Sequence, residues 1–120
     1  MTKINSVSWG KVKIDGKSYH QVLIVDSQVL ERDSDKLHQL FSTTHQIGDW
    51  EEKQLLSGNP QVILIANGVN GLLTISEEFK TQILKLRIEL KVVLTPKAVR
   101  EYNQLIEKGI RVNALIHTTC

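Results

Sequence analysis

Cysteine is almost missing from this chain. Of 120 residues only Cys120 carries a thiol, so no internal disulfide forms and the fold must stand on packing, as suits a reducing compartment. Long apolar runs are missing too. The longest, "VILIA", is far short of the roughly 20 residues a membrane span needs. The opening "MTKINSVSWG" is polar and has no apolar core of a secretory signal, so the cytoplasm is the expected location and no membrane is expected as a partner. A charge of one sign is also lacking. The net value is +2, with no Lys/Arg run and no interleaved aromatics, which argues against nucleic acid. The two prolines leave room for regular elements, and with two each of Trp, Tyr and Phe, an exposed aromatic would stand out.

What is present suffices for one domain spanning residues 1–120. Charge is uneven along it. Residues 80–120 hold eight Lys/Arg against three Glu, whereas residues 1–79 hold seven against ten acids. Solvated helix faces explain this balance, although a basic C-terminal third also suits an acidic partner.

"SVSWGKVKIDGKSYHQVLIVDS" reads as a β-hairpin, with "DGKS" as its turn and "QVLIV" as its second arm. Gly10 falls where the alternation changes phase, which predicts a bulge. A short helix is expected near Asp35–Phe41, with Leu37, Leu40 and Phe41 on one face. Asp49 is the expected cap of a helix over "WEEKQLLSG". "QVILIANG" has the continuous apolar character of a strand buried on both faces. Ser76 can cap "EEFKTQILKLR", whose stripe is Phe79, Ile83 and Leu86. After the strand "LKVVLT", Thr95 is the expected cap of a helix with Pro96 at its first position, ending at Gly109. "IRVNALIH" closes the chain as a strand. Strand and helix alternate from Gln61 onward, which predicts parallel pairing. The fold class is α/β: one domain, an N-terminal antiparallel hairpin joined to a mixed, largely parallel central sheet with flanking helices.

Thr95, Ala98, Tyr102, Asn103, Leu105, Gly109, Arg111 and Val112 fill the pattern T-x-x-A-x-x-x-Y-N-x-L-x-x-x-G-x-R-V. With the closing "HTTC", the opening "SWGKVKIDGKSYHQVLIV" and the loop "THQIGDW", this resembles the adipogenesis-associated Mth-type domain family. That family includes a cytoplasmic animal protein and a mitochondrial assembly factor for respiratory complex I. The resemblance implies a three-layer fold around a mixed sheet, and neither an established enzymatic activity nor a cofactor. The family often has Gly-x-Gly after the first buried strand. Ala66, Asn67 and Gly68 stand there in this chain.

Candidate chemistry is sparse. On a regular strand His117 and Cys120 have opposite parity and point apart, so the tail reads as a closing strand and not as a Cys–His nucleophile pair. His20, His38, His45 and His117 show no i, i+3 or i, i+4 pairing, and no C-x-x-C is present, so no metal is expected. "ANGVNGLLTISEEF" follows a buried strand, where open α/β sheets bind ligands. Gly68 and Gly71 would admit a ligand, but Glu77 and Glu78 in the next helical turn disfavour an anion. Tyr102, Asn103 and Arg111 form either a polar pocket or a set of structural hydrogen bonds. Trp9 and Trp50 read as core. The candidate ligand-binding residues are therefore Asn67, Gly68, Arg111 and His117, with no catalytic set and no cofactor. The reading these features favour is a non-catalytic interaction or assembly module with a protein partner, homo-oligomers remaining open. The alternative is a small-molecule binder or cryptic enzyme with its site at the carboxyl edge of the sheet.

Overall fold

A computed structural model describes residues 2–120. Eight strands and four helices follow one another as β1 (Ile4–Ser8), β2 (Lys11–Ile14), β3 (Lys17–Tyr19), β4 (Val22–Val25), β5 (Gln28–Glu31), α1 (Ser34–Phe41), α2 (Asp49–Leu56), β6 (Val62–Asn67), α3 (Glu77–Lys85), β7 (Glu89–Val93), α4 (Thr95–Glu107) and β8 (Val112–His117). The first three strands form a small antiparallel sheet. The other five form a mixed sheet in the order β5-β4-β8-β6-β7. There β6 is parallel to β7 and β8, while β4 is antiparallel to β5 and β8.

Strand parity builds three layers. Val62, Leu64, Ala66, Val112, Ala114 and Ile116 point to one side of the large sheet. They meet Ala98, Tyr102 and Leu105 of α4 and Ile4, Val12 and Ile14 of the small sheet. Ile63, Ile65 and Leu115 point the other way, onto Leu55 of α2 and Phe79 and Ile83 of α3. Both faces of β6 and β8 are thus covered, which explains the continuous apolar run of β6 and the burial of every residue of β8, Asn113 and His117 included. Among the described residues no helix is long and apolar enough to cross a membrane.

Several local expectations are corrected. Asp15 and Gly16, with φ of 47° and 83°, do form the predicted turn, but it joins β2 to the short β3. The "QVLIV" run leaves for the large sheet as β4, because all four β4 residues are buried and a lone hairpin covers only one face. Gly10 is no bulge. It forms a tight turn with Trp9 between β1 and β2, where Ser8 pairs with Lys11. That places Trp9 at a hairpin tip, 60 % exposed and outside the core. A second hairpin, β4–β5, turns through Asp26 and Ser27, both at positive φ without a glycine.

Gly48, not Asp49, is the N-cap of α2. Glu51 Oε1 reaches back to accept its N–H at 3.0 Å. Thr95 is the first residue of α4 rather than its cap, and Leu94 holds the cap position. Ser76 does cap α3, accepting from Phe79 N at 3.1 Å. Leu40 and Leu86 lie outside the buried stripes to which periodicity assigns them.

Asn103 clamps α4 to the small sheet. Its amide accepts from Ile4 N at 3.0 Å and donates to Ile4 O at 2.8 Å, mimicking a strand neighbour for β1. Replacing Asn103 with Ala strands both main-chain groups of a fully buried residue. We predict a loss of about 1–3 kcal/mol, read from urea unfolding at unchanged m-value. A loss within error of zero would remove the clamp from the fold's support.

Candidate functional site

Parallel register brings the ends of β6 and β8 together. Asn67 is the partner of His117, and both lie on the side of the sheet that faces α2 and α3. Thr95, opening α4, ties these ends. Its hydroxyl donates to His117 O at 2.5 Å and accepts from Gly68 N at 2.9 Å.

The loop after β6 has the backbone freedom expected of a ligand loop, but the chain itself fills it. Val69 N donates to Thr119 O at 2.8 Å, and Asn70 N and Leu72 N donate to Cys120 O at 2.9 and 3.1 Å. Gly68 sits at φ +111°, and a Cβ there would collide with the main chain of Cys120. The close approach that its missing side chain permits is therefore made by residues 118–120, in the place the sequence offered to a ligand. Thr118 adds two ties, accepting from Gly10 N at 3.0 Å through its carbonyl and donating its hydroxyl to His20 O at 2.6 Å.

Behind this edge lies a buried polar cluster. Arg32, just past β5, has a side chain with no exposed surface. Its Nε donates to Glu51 Oε2 at 2.7 Å and one terminal nitrogen to Glu51 Oε1 at 2.9 Å, a bidentate ion pair. The remaining N–H groups go to Gln21 Oε1 at 2.8 Å, Thr44 O at 3.1 Å and Gln46 O at 2.8 Å. All five guanidinium donors are thus engaged.

His117 is completed by this cluster. Its Nδ1 lies 2.8 Å from Gln21 Oε1. Arg32 donates to that same oxygen, which identifies it as the acceptor and assigns the imidazole proton to Nδ1. Nε2 then keeps a lone pair, 3.4 Å from the Thr119 hydroxyl. His45 stands edge-on to the ring, with centroids 5.3 Å apart. Burial lowers the His117 pKa to about 4, and the positive charge of Arg32 adds to the effect. The imidazole is neutral near pH 7, and its weak basicity suits a hydrogen-bond partner better than a general base.

The other predicted residues lie elsewhere. Arg111 precedes the first residue of β8, at the opposite end of that strand from His117. There its Nε donates to Asn59 O at 2.8 Å, so it is no part of the His117 site. Tyr102 is fully buried between the sheets, and burial, with Asp15 adding to it, pushes its phenol up to about 12. It is a core aromatic and not a pocket wall. Trp50 is half-buried under the Lys36 ammonium, which sits 4.1 Å from its ring centroid. Cys120 is half-buried, and no hydrogen bond among the described residues joins its sulfur to His117. Among those residues no group of three or more His, Cys, Asp or Glu is placed to hold a metal ion.

Sequence reasoning missed Arg32, Gln21, Glu51 and His45. One signal was available. The β4–β5 register pairs Val22 with Glu31, which puts Arg32 beside Gln21, and Arg32 N donates to Gln21 O at 3.0 Å. Recognising the Asp26-Ser27 turn would have exposed that pair.

These features define a small three-layer α/β domain whose carboxyl sheet edge is sealed by its own chain. The chain belongs to the family described as proteins of unknown function (DUF498/DUF598), whose model matches residues 4–117. Among solved structures it is similar to "MT938", at 27 % identity over 100 % of both chains and a TM-score of 0.79. It is also similar to a conserved hypothetical protein from Pyrococcus horikoshii, at 28 % identity over 98 % of this chain and 99 % of that one, with a TM-score of 0.77. A Bordetella pertussis protein described as an Mth938-like domain shares the fold at 15 % identity over 98 % of this chain and 85 % of that one, with a TM-score of 0.64.

The cluster makes two effects measurable. Arg32→Met leaves the Glu51 carboxylate buried without its countercharge and should cost about 3–5 kcal/mol in urea unfolding. Adding Glu51→Gln should recover part of that loss, so the double variant should be more stable than the sum of the singles. Strict additivity would show that the two side chains do not act as a pair. The second effect concerns pH. The His117 pKa is lower folded than unfolded, so the unfolded state binds the extra proton between about pH 6.5 and pH 4. Its contribution to stability is full above that window and lost as pH falls through it. His117→Gln should flatten the acid slope of unfolding free energy there, and a parallel slope would contradict the assignment.

Proposed function

We propose that this protein is a non-catalytic interaction or assembly module that works in the cytoplasm and presents its outer surface to a protein partner. The carrying observation is the closure of the carboxyl sheet edge. Arg32 has no free donor, the main-chain N–H groups of Val69, Asn70 and Leu72 are spent on Thr119 and Cys120, and His117 is a weak base. A site that turns over substrate needs unspent groups converging on a reacting atom. The resemblance to the Mth-type family, which includes a complex I assembly factor, supports the same reading.

One observation favours the small-molecule alternative. Asn67 Oδ1 is buried and has no hydrogen-bond partner among the described residues, and it lies beside Gly71 at this same edge. Gly68 and His117 adjoin it. A ligand donating one hydrogen bond to Asn67 would satisfy that oxygen.

Native mass spectrometry of the protein purified gently from its own cells separates the two. A stoichiometric complex with a second protein and no small adduct is expected. A retained mass of a few hundred daltons, lost in Asn67→Ala, would overturn the module reading in favour of the binder.

A further inference from the structure

β7 is an edge strand of the large sheet, and Leu72, Leu84, Leu86, Val92 and Leu94, though not Trp9 or Leu40, are exposed apolar side chains on it or at its ends. Val92 lies on the strand and is 45 % exposed. Leu94 follows it, in contact range of the loop that carries Leu72. At the strand's other end, Leu84 and Leu86 are 76 % and 58 % exposed. Helical spacing sets Leu84 on the flank of α3 that carries Lys80 and Glu77. The opposite flank, with Gln82, Lys85 and Leu86, adjoins Leu56 of α2. Leu84 therefore overhangs the β7 side.

The main chain of this edge is open for pairing. Glu89 N donates inward to Gln61 O at 3.0 Å, so by alternation Lys91 and Val93 also turn their main-chain groups toward β6. The N–H and C=O of Leu90 and Val92 face outward.

We propose that β7 pairs antiparallel with β7 of a second copy, on a two-fold axis through Leu90, to make one continuous ten-stranded sheet. This goes beyond the module reading, since it needs no other protein. Charge selects the register. Glu89 and Lys91 lie on the same face, 3.8 Å apart within one chain. With Leu90 opposite Leu90, each Glu89 stands opposite a Lys91 of the other copy, in the closely spaced pair that lacks main-chain bonds. Centring one residue later would set the two Lys91 side chains against each other. The chosen register also makes a hydrogen-bonded pair of the outward groups of Leu90. It carries Leu94 of each copy to the Leu86 end of the other, so the apolar residues at the two ends of the strand cover one another. A two-fold axis normal to the sheet keeps both α3 helices on one side, with each Leu84 turned toward the join.

Sedimentation velocity over a dilution series tests this on the full chain. A monomer–dimer equilibrium is expected. Val92→Lys, an exposed site, should shift it to monomer, with an unfolding midpoint equal to that of the parent at dilutions where the parent is also monomeric. Glu89→Lys should weaken dimerisation about tenfold by creating like-charge pairs. Adding Lys91→Glu should bring it back to within about threefold of the parent, because the swapped charges pair again. A monomer at every concentration would overturn the proposal. So would a dimer indifferent to Val92→Lys, which would lie elsewhere, or a charge swap that fails to restore, which would exclude this register.

Discussion

The constraint on which the rest of this molecule leans is the burial of Arg32 against Glu51. A charge taken out of water is costly, and the guanidinium meets that cost only by filling every donor position. To do so it draws on five separate pieces of chain: the start of β4 through Gln21, the end of β5, the connection from α1 to α2 through Thr44 and Gln46, the first turn of α2 through Glu51, and, through Gln21, the end of β8. Three connections, β3–β4, β5–α1 and α1–α2, thereby acquire one geometry. The same charge explains the state of His117. A cation 3.5 Å from Nδ1 leaves no room for a second, so the neutral ring becomes a spacer between the ion pair and the sheet's edge.

Open α/β sheets commonly use the crevice beyond their carboxyl ends for ligands. Here the same architecture, with its glycine loop and its helix N-terminus nearby, is turned to internal use. Thr95 spends its hydroxyl on β6 and β8, and the loop's N–H groups receive the main chain of residues 119 and 120. Most of the polar groups that such an edge could offer a ligand are engaged by the chain itself, with Asn67 Oδ1 the exception among the described residues.

Legibility in the sequence followed the strength of local signals. α3, with its Ser76 cap, and β6, with its unbroken apolar run, carry their own boundaries. The N-terminal third does not. The Asp15-Gly16 turn is strong but says nothing about which later run completes it, and the turn at Asp26 and Ser27 lacks the glycine that would mark it. Part of the site was readable. Asn67 and His117 end two parallel strands, and parallel register alone brings them together. Arg111 stands before the other end of β8, a separation that strand length already enforces. The Arg32–Glu51 pair was out of reach, because Glu51 in a first helical turn looks like an ordinary dipole partner. Its actual role appears only when three loops converge.

One topological fact bears on how the chain reaches this state. β8 is the central strand of the large sheet, flanked by β4 and β6, yet it is the last element in sequence. The halves β5-β4 and β6-β7 share no direct pairing without it. During synthesis both exist before the strand that joins them, with the faces of Ile24 and Leu64 waiting uncovered. Joining the two halves of the sheet is therefore non-local. The acceptors of Arg32 all lie within residues 21–51, and β8 contributes only His117, through Gln21, to that cluster.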